Sequence, residues 1–197
     1  MDYPFFVREI CDVPFDLIEE LKGYIETADF IRHDYFGKEQ NIMSNHQAQK
    51  PSPLMERVID LVSFQFDRKK YCGADINKLP PGEKIIEHSD IGSMATGVAW
   101  NTSHRHKIHF PLQAPIECFT WHRRTQEAPS HSFYMRPGKA YLYNDYALHG
   151  FWNKGKETRI HLIISFEDHD WSLKHKMLDQ MKLVGTQKYE ENFKLST

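Results

Sequence analysis

The sequence has few cysteines, no long hydrophobic run and no marked excess of charge of one sign. Its three cysteines lie far apart and in no C-x-x-C pair, which is typical of a reducing, cytosolic setting and not of a disulfide framework. No apolar stretch approaches the ~20 residues that cross a bilayer, and the first residues show no basic segment followed by an apolar one. The formal net charge of −2 argues against a mainly electrostatic binder of nucleic acid or membranes. We therefore expect a cytoplasmic protein with neither as a partner.

The composition is that of a folded globular protein. The 197 residues are 40% hydrophobic and 26% charged, which excludes a fully disordered chain and a coiled coil. A chain of this length is expected to form one domain, residues 1–197. The twelve histidines are the unusual feature, because histidine serves metal binding and proton transfer as well as ordinary polar surface.

The first third of the chain, residues 1–70, is expected to be a helical support. A helix is predicted from Asp12 through Thr27, where apolar residues recur at helical spacing. The polar, aperiodic stretch 33–51 is predicted to be a loop. Ser52 is expected to cap a second helix, because a proline follows at its first turn and apolar residues then line one face.

From residue 71 to residue 166 the sequence alternates between short β-prone runs and turn signals. Eight strands in about ninety-five residues predict a two-sheet jelly roll or cupin-like barrel with flanking helices, mainly β in class. A helix over 171–183 is predicted within a C-terminal segment, 167–197. The predicted strands are 71–79, 83–88, 107–113, 117–122, 131–135, 139–143, 147–152 and 158–166.

Three elements within this β region carry side chains suited to chemistry. The first is His88-Ser89-Asp90 at the end of a predicted strand. Two ligands of one metal lie only about 3 Å apart, whereas alternate residues of a regular strand are about 6.6 Å apart. His88 and Asp90 can therefore converge only where the strand ends or bends. An ordinary surface pair at a strand end is the alternative interpretation.

The second element combines His149 in an apolar strand with Arg159 ten residues later. An arginine that opens an apolar strand needs an anionic partner if it is buried, because an isolated buried charge is costly. The alternative is an exposed Arg159, or one paired with Glu157 or Asp168.

The third element is Lys107-Ile108-His109-Phe110-Pro111-Leu112. A half-exposed strand with polar residues at alternate positions would explain part of it. His109 fits that explanation less well, since the residues after it continue as a core segment.

Taken together, the three elements resemble the Fe(II)/2-oxoglutarate-dependent oxygenases, and within them the aspartyl/asparaginyl β-hydroxylases. The order and spacing of the motifs carry the resemblance over residues 71–166. The matching motifs are Pro81-Gly82, His88-Ser89-Asp90, Lys107-x-His109-x-Pro111-Leu112, Pro137-Gly138, Asn144-Asp145, and His149-x3-Asn153-x5-Arg159-x-x-Leu162.

The resemblance implies a double-stranded β-helix and a set of roles for these residues. His88, Asp90 and His149 would be the catalytic facial triad that holds Fe(II), with positions left for 2-oxoglutarate and O2. Arg159 would bind the distal carboxylate of 2-oxoglutarate, assisted by His109. Lys107 stands where many relatives carry arginine, so it would be a weaker contact to the cosubstrate or would face solvent.

A distance estimate is consistent with these roles. The last two strands of a jelly roll belong to facing sheets, which pack about 10 Å apart. A metal bond, a five-carbon diacid and a charge-assisted contact also sum to about 10 Å. His149 and Arg159 are thus expected to hold the two ends of one cosubstrate.

The implied reaction is hydroxylation of an unactivated C–H bond of an amino-acid residue, in a peptide or as a free amino acid, with release of succinate and CO2. Candidate substrate contacts are Trp100, Trp121, Arg123, Arg124 and Trp152, although a solvated basic pair or rim aromatics would explain them as well. The alternative function is a cupin-like or degenerate jelly-roll module that binds a metal or ligand without turnover. The prime substrate, the stereochemistry and the oligomeric state are left open by the sequence.

Overall fold

The computed structural model describes residues 7–35, 38–47, 51–88, 105–123, 126–145 and 147–167. Within these ranges the chain forms eleven β-strands, two α-helices and one short 3-10 helix. Neither α-helix has the length and apolar character that crossing a bilayer requires. The predicted helix over 171–183 lies outside the described residues.

The helices and strands alternate at the N-terminal end of the chain and are followed by strands alone. In chain order the elements are β1 Val7–Asp12, α1 Phe15–Thr27, β2 Ile31–Tyr35, β3 Lys38–Gln47, α2 Pro53–Val62, the 3-10 helix Arg68–Lys70, β4 Tyr71–Leu79, β5 Lys84–His88, β6 Arg105–Gln113, β7 Cys118–Arg123, β8 His131–Phe133, β9 Lys139–Tyr143, β10 Leu148–Asn153 and β11 Arg159–Glu167.

The strands form two antiparallel sheets. The larger has the order β1-β9-β6-β11-β4-β3-β2, and the smaller has the order β5-β10-β7-β8. The last two strands of the described chain therefore belong to different sheets, as the jelly-roll prediction requires. All eight strands predicted between residues 71 and 166 are present as β4 to β11, with ends that differ by at most a few residues.

The larger sheet has a different core on each of its two faces. On one face α1 and α2 pack against apolar side chains of the central strands, such as Phe110 and Leu162. On the other face a second apolar cluster, which includes Leu79, Tyr143 and Phe151, fills the space between the two sheets. Because side chains alternate along a strand, even-numbered residues of β11 face the helices and odd-numbered residues face the interior between the sheets.

The second helix begins as the sequence predicts. The Oγ of Ser52 accepts a hydrogen bond from the backbone N–H of Met55 at 3.3 Å, and Pro53 occupies the first helical position. The first helix begins later than predicted, at Phe15, because Asp12 is the last residue of β1 and pairs with Lys139 of β9. Its first residue, Phe15, is 76% exposed and therefore adds nothing to the core.

The prediction for residues 1–70 was wrong in two places. The stretch 33–51, predicted as a loop, contains most of β2 and β3, and β1 was not predicted at all. These strands form at the edges of the larger sheet, where β3 pairs with β4 and β1 pairs with β9. Pairing with an existing strand supplies the backbone hydrogen bonds there, so the local sequence needs no alternation of its own.

Candidate functional site

Two histidines from neighbouring strands of the smaller sheet face each other. His88 is the last residue of β5, as the sequence predicts, and it lies directly opposite His149 of β10. Their ring centroids are 4.3 Å apart. Residues directly opposite each other in an antiparallel pair project to the same face of the sheet, so both imidazoles lie on one side of it.

The two histidines share one hydrogen-bonding arrangement. The Nδ1 of His88 is 2.8 Å from the carbonyl of Ile86, and the Nδ1 of His149 is 2.9 Å from the carbonyl of Ala147. Because a carbonyl oxygen only accepts, Nδ1 is the protonated nitrogen in both rings. The metal-binding lone pair of each ring is therefore on Nε2. A backbone carbonyl that fixes the tautomer in this way is typical of metal-ligating histidines.

The predicted third ligand, Asp90, lies outside the described residues. Within the ranges that are described, no three His, Cys, Asp or Glu side chains are disposed to hold a metal ion. Within the described residues, His88 and His149 thus provide two nitrogen donors on one face of the sheet.

Two more histidines lie beside this pair on the next strands of the smaller sheet. His149 also lies opposite His122 of β7, which in turn lies opposite His131 of β8. The rings of His122 and His149 are 5.8 Å apart. Burial lowers the pKa of His122 well below its ordinary value, and His149 and His109 add to this effect. His122 is therefore a neutral ring beside His149.

A cavity of about 110 Å³ opens beside the His88–His149 pair. Both sheets contribute to it, the smaller through β5 and β10 and the larger through β4, β6, β9 and β11. The lining residues are Asn77, Ile85, His88, Lys107, His109, Tyr143, Asp145, His149, Phe151 and Ile163. Small-molecule sites are typically concave spaces of this kind, with a few polar groups in an apolar wall.

Lys107 and Asp145 form an ion pair on the wall of this cavity. The Nζ of Lys107 is 3.6 Å from Oδ2 of Asp145, and the two side chains are 20% and 3% exposed. The charge of Lys107 is thus largely balanced by a carboxylate of the protein. A second anion would find a weaker attraction at Lys107 than at an uncompensated cation.

His109 lies deeper in the cavity and packs on an aromatic wall. It is 3% exposed, and its ring stacks on Tyr143 at a centroid distance of 4.3 Å. The hydroxyl of Tyr143 is hydrogen-bonded to Oγ1 of Thr120 at 2.8 Å, and Thr120 donates its own proton to the carbonyl of Gly150. This network holds the Tyr143 ring between His109 and His149.

Arg159 is fully buried between the sheets. It is 1% exposed, and its guanidinium carbon lies 4.1 Å from the centroid of the Phe151 ring. Phe151 lines the cavity, whereas Arg159 is not itself among the lining residues. This burial excludes the alternative of an exposed Arg159. Among the described residues no carboxylate forms a salt bridge with Arg159, so the alternative of a pair with Glu157 is excluded as well. Asp168 lies outside the described residues.

The one hydrogen bond that Arg159 makes within the described chain is to a histidine. Its Nη2 donates to Nδ1 of His161 at 2.7 Å, while Nε and Nη1 are buried without a hydrogen-bond partner. Burial lowers the pKa of Arg159 to about 10, so the guanidinium remains charged at neutral pH. Burial also raises the pKa of the nearby Cys118 thiol to about 11, so that thiol supplies no negative charge. Within the described part of the chain, the buried cation therefore has donors directed at no anion.

His161 is neutral because burial disfavours the charged form of an ionisable side chain. Burial lowers the pKa of His161 well below its ordinary value, and the charge of Arg159 lowers it further. The guanidinium can only donate, so Nδ1 of His161 is the accepting nitrogen and its proton resides on Nε2.

Asn153 fixes the backbone from which Arg159 projects. It is completely buried, and its amide nitrogen donates to the carbonyls of Leu79 and Glu157, each at 2.8 Å. Its Oδ1 accepts from the N–H of Gly155 at 3.1 Å. Leu79 of β4 lies opposite Arg159 of β11. The side chain of Asn153 therefore connects this pair of residues to the turn that leads into β11.

The described aromatic and basic candidates for substrate contact face away from the cavity. Trp152 is 36% exposed, with its ring 6.2 Å from that of Phe119. Trp121 covers Gly150 so closely that an added Cβ there would lie 2.3 Å from the indole. Arg123 is paired with Glu87, to which Trp121 also donates a hydrogen bond. All lie on the outer face of the smaller sheet. Trp100 and Arg124 lie outside the described residues.

Several cavity or partner residues were not singled out from the sequence as parts of the site. Phe151 is two positions after His149, and His161 is two positions after Arg159. Alternation along a strand places such residues on the same face. That signal is present in the sequence and would have identified both of them.

The buried neutral state of His161 predicts a dependence of stability on pH. The unfolded chain protonates this histidine near pH 6.5, whereas the folded chain does not, so the free energy of unfolding falls as pH drops below about 6.5. The loss in the free energy of unfolding that His161 causes approaches about 1.4 kcal/mol per pH unit, until the pH reaches the lowered pKa of His161 in the folded protein. Urea unfolding at pH 7.5 and 5.5 should show a smaller loss for His161→Asn than for the wild type. Ser165→Ala, on the same face of β11, should show the wild-type loss, and equal losses in all three proteins would contradict the prediction.

Comparisons with known proteins agree with this architecture. A family model described as aspartyl/asparaginyl beta-hydroxylase matches residues 34–169, while no curated protein matches the chain in sequence. Among solved structures, the non-heme α-ketoglutarate-dependent epimerase SnoN from nogalamycin biosynthesis is 12% identical over 84% of this chain and 78% of its own, with a TM-score of 0.62.

Two further solved structures show the same likeness of fold. HygX from Streptomyces hygroscopicus, with nickel and 2-oxoglutarate bound, is 11% identical over 85% of this chain and 84% of its own, with a TM-score of 0.62. A Pseudomonas putida prolyl-4-hydroxylase is 9% identical over 84% of this chain and 93% of its own, with a TM-score of 0.59. The predicted jelly-roll class is thereby confirmed. The eleven described strands, however, exceed the expected eight by the three from residues 7–47.

Proposed function

The chain belongs to the aspartyl/asparaginyl β-hydroxylase family, and from this we propose that it is an Fe(II)- and 2-oxoglutarate-dependent dioxygenase. The reaction inserts one oxygen atom of O2 into an unactivated C–H bond. The other oxygen atom enters succinate, which forms from 2-oxoglutarate with loss of CO2. The observation that carries the proposal is the buried Arg159, a cation with no carboxylate partner among the described residues, in the same interior as the His88–His149 pair.

We assign the metal to His88, Asp90 and His149. The two described ligands fit this role because they lie on one face of one sheet and because backbone carbonyls hold both rings in the tautomer that ligates through Nε2. Two imidazoles and one carboxylate are the set that binds non-heme Fe(II) and leaves positions open. Asp90, two residues beyond His88, is near enough along the chain to complete the set.

We assign the distal carboxylate of 2-oxoglutarate to Arg159. The Nε and Nη1 groups of Arg159 are buried donors without a partner in the described chain, and an arginine fork matches a carboxylate in two parallel hydrogen bonds. Phe151 is two residues from His149 along β10, a step of about 6.6 Å, and the guanidinium lies 4.1 Å from its ring. These two short separations support an assignment in which one five-carbon diacid joins the metal site to the guanidinium.

The remaining cavity residues orient the cosubstrate and keep water out. Phe151, Ile85 and Ile163 form apolar walls of the cavity, and His109 contributes a polar group to its lining. Lys107 is held by Asp145, so we assign it a secondary contact with the cosubstrate. Fe(II), when bound, supplies the oxygen chemistry. No protein general base is needed, and the chain's own task is to bind and position.

For the prime substrate we propose an amino-acid side chain, in a peptide or as a free amino acid. Family membership supports this class. Lys107 and Asp145, on the wall of the cavity, offer charges of both signs to the carboxylate and ammonium groups that amino acids carry.

The test is Fe(II)-dependent release of succinate from 2-oxoglutarate, with and without candidate amino acids and peptides. We expect turnover by the wild type, including slow turnover without prime substrate, and a loss of at least about 100-fold in His149→Ala, because an iron site stripped of one imidazole loses more than the 10–100-fold typical of second-shell changes. His106→Ala, at a histidine that contacts Phe66 away from the cavity, is the matched control and should retain activity.

Mass spectrometry then identifies the product as a gain of one oxygen atom. If the wild type binds iron and 2-oxoglutarate but never releases succinate, the protein is a binding module without turnover. If His149→Ala and the wild type release succinate equally, the assignment of the metal is refuted.

A further inference from the structure

The buried guanidinium of Arg159 has a neutral protein partner where buried arginines ordinarily have a carboxylate. We propose that His161 is a positioning residue for cosubstrate binding: it fixes the guanidinium of Arg159 through a neutral acceptor, so that the full positive charge is left for the carboxylate of 2-oxoglutarate. The inference rests on the proposed function and adds to it a residue that touches neither the metal ligands nor the mouth of the cavity.

The geometry of the contact supports a positioning role. The Nη2–Nδ1 distance is 2.7 Å, and the two residues are 1% and 2% exposed. They are separated by one residue on β11, which is a central strand of the larger sheet with partners on both sides. Both backbones are therefore held by the sheet, and the hydrogen bond removes the torsional freedom that a long arginine side chain would otherwise keep.

The choice of an imidazole explains how the site stays cationic. A carboxylate in place of His161 would bind the guanidinium more strongly but would cancel its charge, and an incoming dicarboxylate would then compete with it. An apolar residue would leave the charge but not the orientation. A neutral nitrogen acceptor satisfies one N–H of Arg159 and leaves Nη1 and Nε as donors.

The surroundings of His161 keep it in the accepting form. The rings of His109 and Phe151 lie 5.9 Å and 6.2 Å from it, and the charge of Arg159 opposes its protonation. A protonated imidazole would have no acceptor and would repel the guanidinium. These buried surroundings thus keep Nδ1 of His161 as the acceptor and Nη2 of Arg159 as the donor of their hydrogen bond.

Three substitutions at one position separate orientation from charge. His161→Leu removes the acceptor and keeps an apolar side chain. His161→Asn keeps an acceptor, because its Oδ1 can take the place of Nδ1. His161→Asp keeps the shape of asparagine and adds a negative charge. Ser165→Ala, four residues along the same face of β11, is the matched control for a change in this strand.

The measurement is calorimetric titration of 2-oxoglutarate into the full-length chain loaded with Ni(II), which allows binding without turnover. Loss of an oriented charge-assisted contact should weaken binding about tenfold in His161→Leu. His161→Asn should bind within about threefold of the wild type, and His161→Asp should bind at least about 100-fold more weakly. With Fe(II), the KM for 2-oxoglutarate should rise in His161→Leu while kcat at saturating 2-oxoglutarate changes by less than about twofold.

The outcomes separate this inference from the proposed function. If the wild type binds 2-oxoglutarate and His161→Leu binds it equally well, or if His161→Asn binds as weakly as His161→Leu, the positioning role is refuted and the proposed function stands. If the wild type neither binds 2-oxoglutarate nor releases succinate, both are refuted. Should His161→Leu fail to fold, the asparagine and aspartate variants still decide, since they differ only in charge and an equal affinity would overturn the proposal.

Discussion

Replacement of Arg159 by methionine is expected to abolish 2-oxoglutarate binding while it stabilises the ligand-free protein. The guanidinium is buried without a carboxylate partner in the described chain, so the folded protein bears its desolvation without compensation until a ligand arrives. Removing a buried charge in favour of an apolar side chain of similar length commonly stabilises by about 1–4 kcal/mol. Affinity for 2-oxoglutarate should fall at least about 100-fold, because a desolvated charge pair is lost.

Two further variants make this prediction sharper. Arg159→Met leaves Nδ1 of His161 without its donor, which costs about 1–3 kcal/mol and offsets part of the gain. The double variant Arg159→Met/His161→Leu removes both polar groups and should show the larger gain in the free energy of unfolding by urea. Arg159→Lys keeps a charge but not the fork and should bind 2-oxoglutarate weakly. A double variant several kcal/mol less stable than the wild type would show that the guanidinium serves the fold and not a ligand.

Replacement of Asn153 by alanine is expected to destabilise the protein by about 3–5 kcal/mol. The substitution leaves the carbonyl of Leu79 and the N–H of Gly155 without their partner in buried positions, and the carbonyl of Glu157 without its partner in a partly buried one. Each such group costs about 1–3 kcal/mol when it remains unsatisfied. Thermal or urea unfolding measures the change directly.

Gln113→Ala is the matched control for the loss of one amide hydrogen bond near the same turn. Gln113 donates a single bond to the carbonyl of Thr158 at 2.8 Å and is only partly buried, so its loss should cost about 1 kcal/mol. Because Asn153 also sets the backbone before Arg159, the alanine variant should weaken 2-oxoglutarate binding even at temperatures where it remains folded. Equal stabilities of the Asn153→Ala and Gln113→Ala proteins would contradict the role assigned to Asn153.

The sequence predicts the jelly-roll strands well because they carry their own signals. Strands β4 to β11 combine apolar alternation with turn residues such as Gly82 and Gly138, both of which have positive φ. Strands β1 to β3 do not carry such signals, because β1 takes its backbone hydrogen bonds from β9, β3 from β4, and β2 from β3. Their existence depends on the sheet edge that they meet, which no local window of sequence contains.

For the candidate site, the sequence identifies residue types better than their surroundings. His88 and His149 were expected together, and the register of β5 and β10 places them opposite each other. The neutral partner of Arg159 was not expected, because it depends on which side chains share the interior. Trp152, three residues after His149, was a candidate substrate contact, yet three steps along a strand lead to the opposite face, and it lies on the outside of the smaller sheet.

The connection between the last two described strands has a consequence for cosubstrate choice. The eleven residues 149–159 leave one sheet and enter the other, so the gap between their two ends is a dimension of the whole sandwich. No individual side chain sets the distance between the two sheets, and a tightly packed interior resists a change in that distance. Substitutions around the opening of the cavity can then alter which compound is hydroxylated. The preference for a cosubstrate of one chain length over shorter or longer oxo-diacids should persist in every such variant. Competition with four-carbon and six-carbon homologues would reveal that persistence.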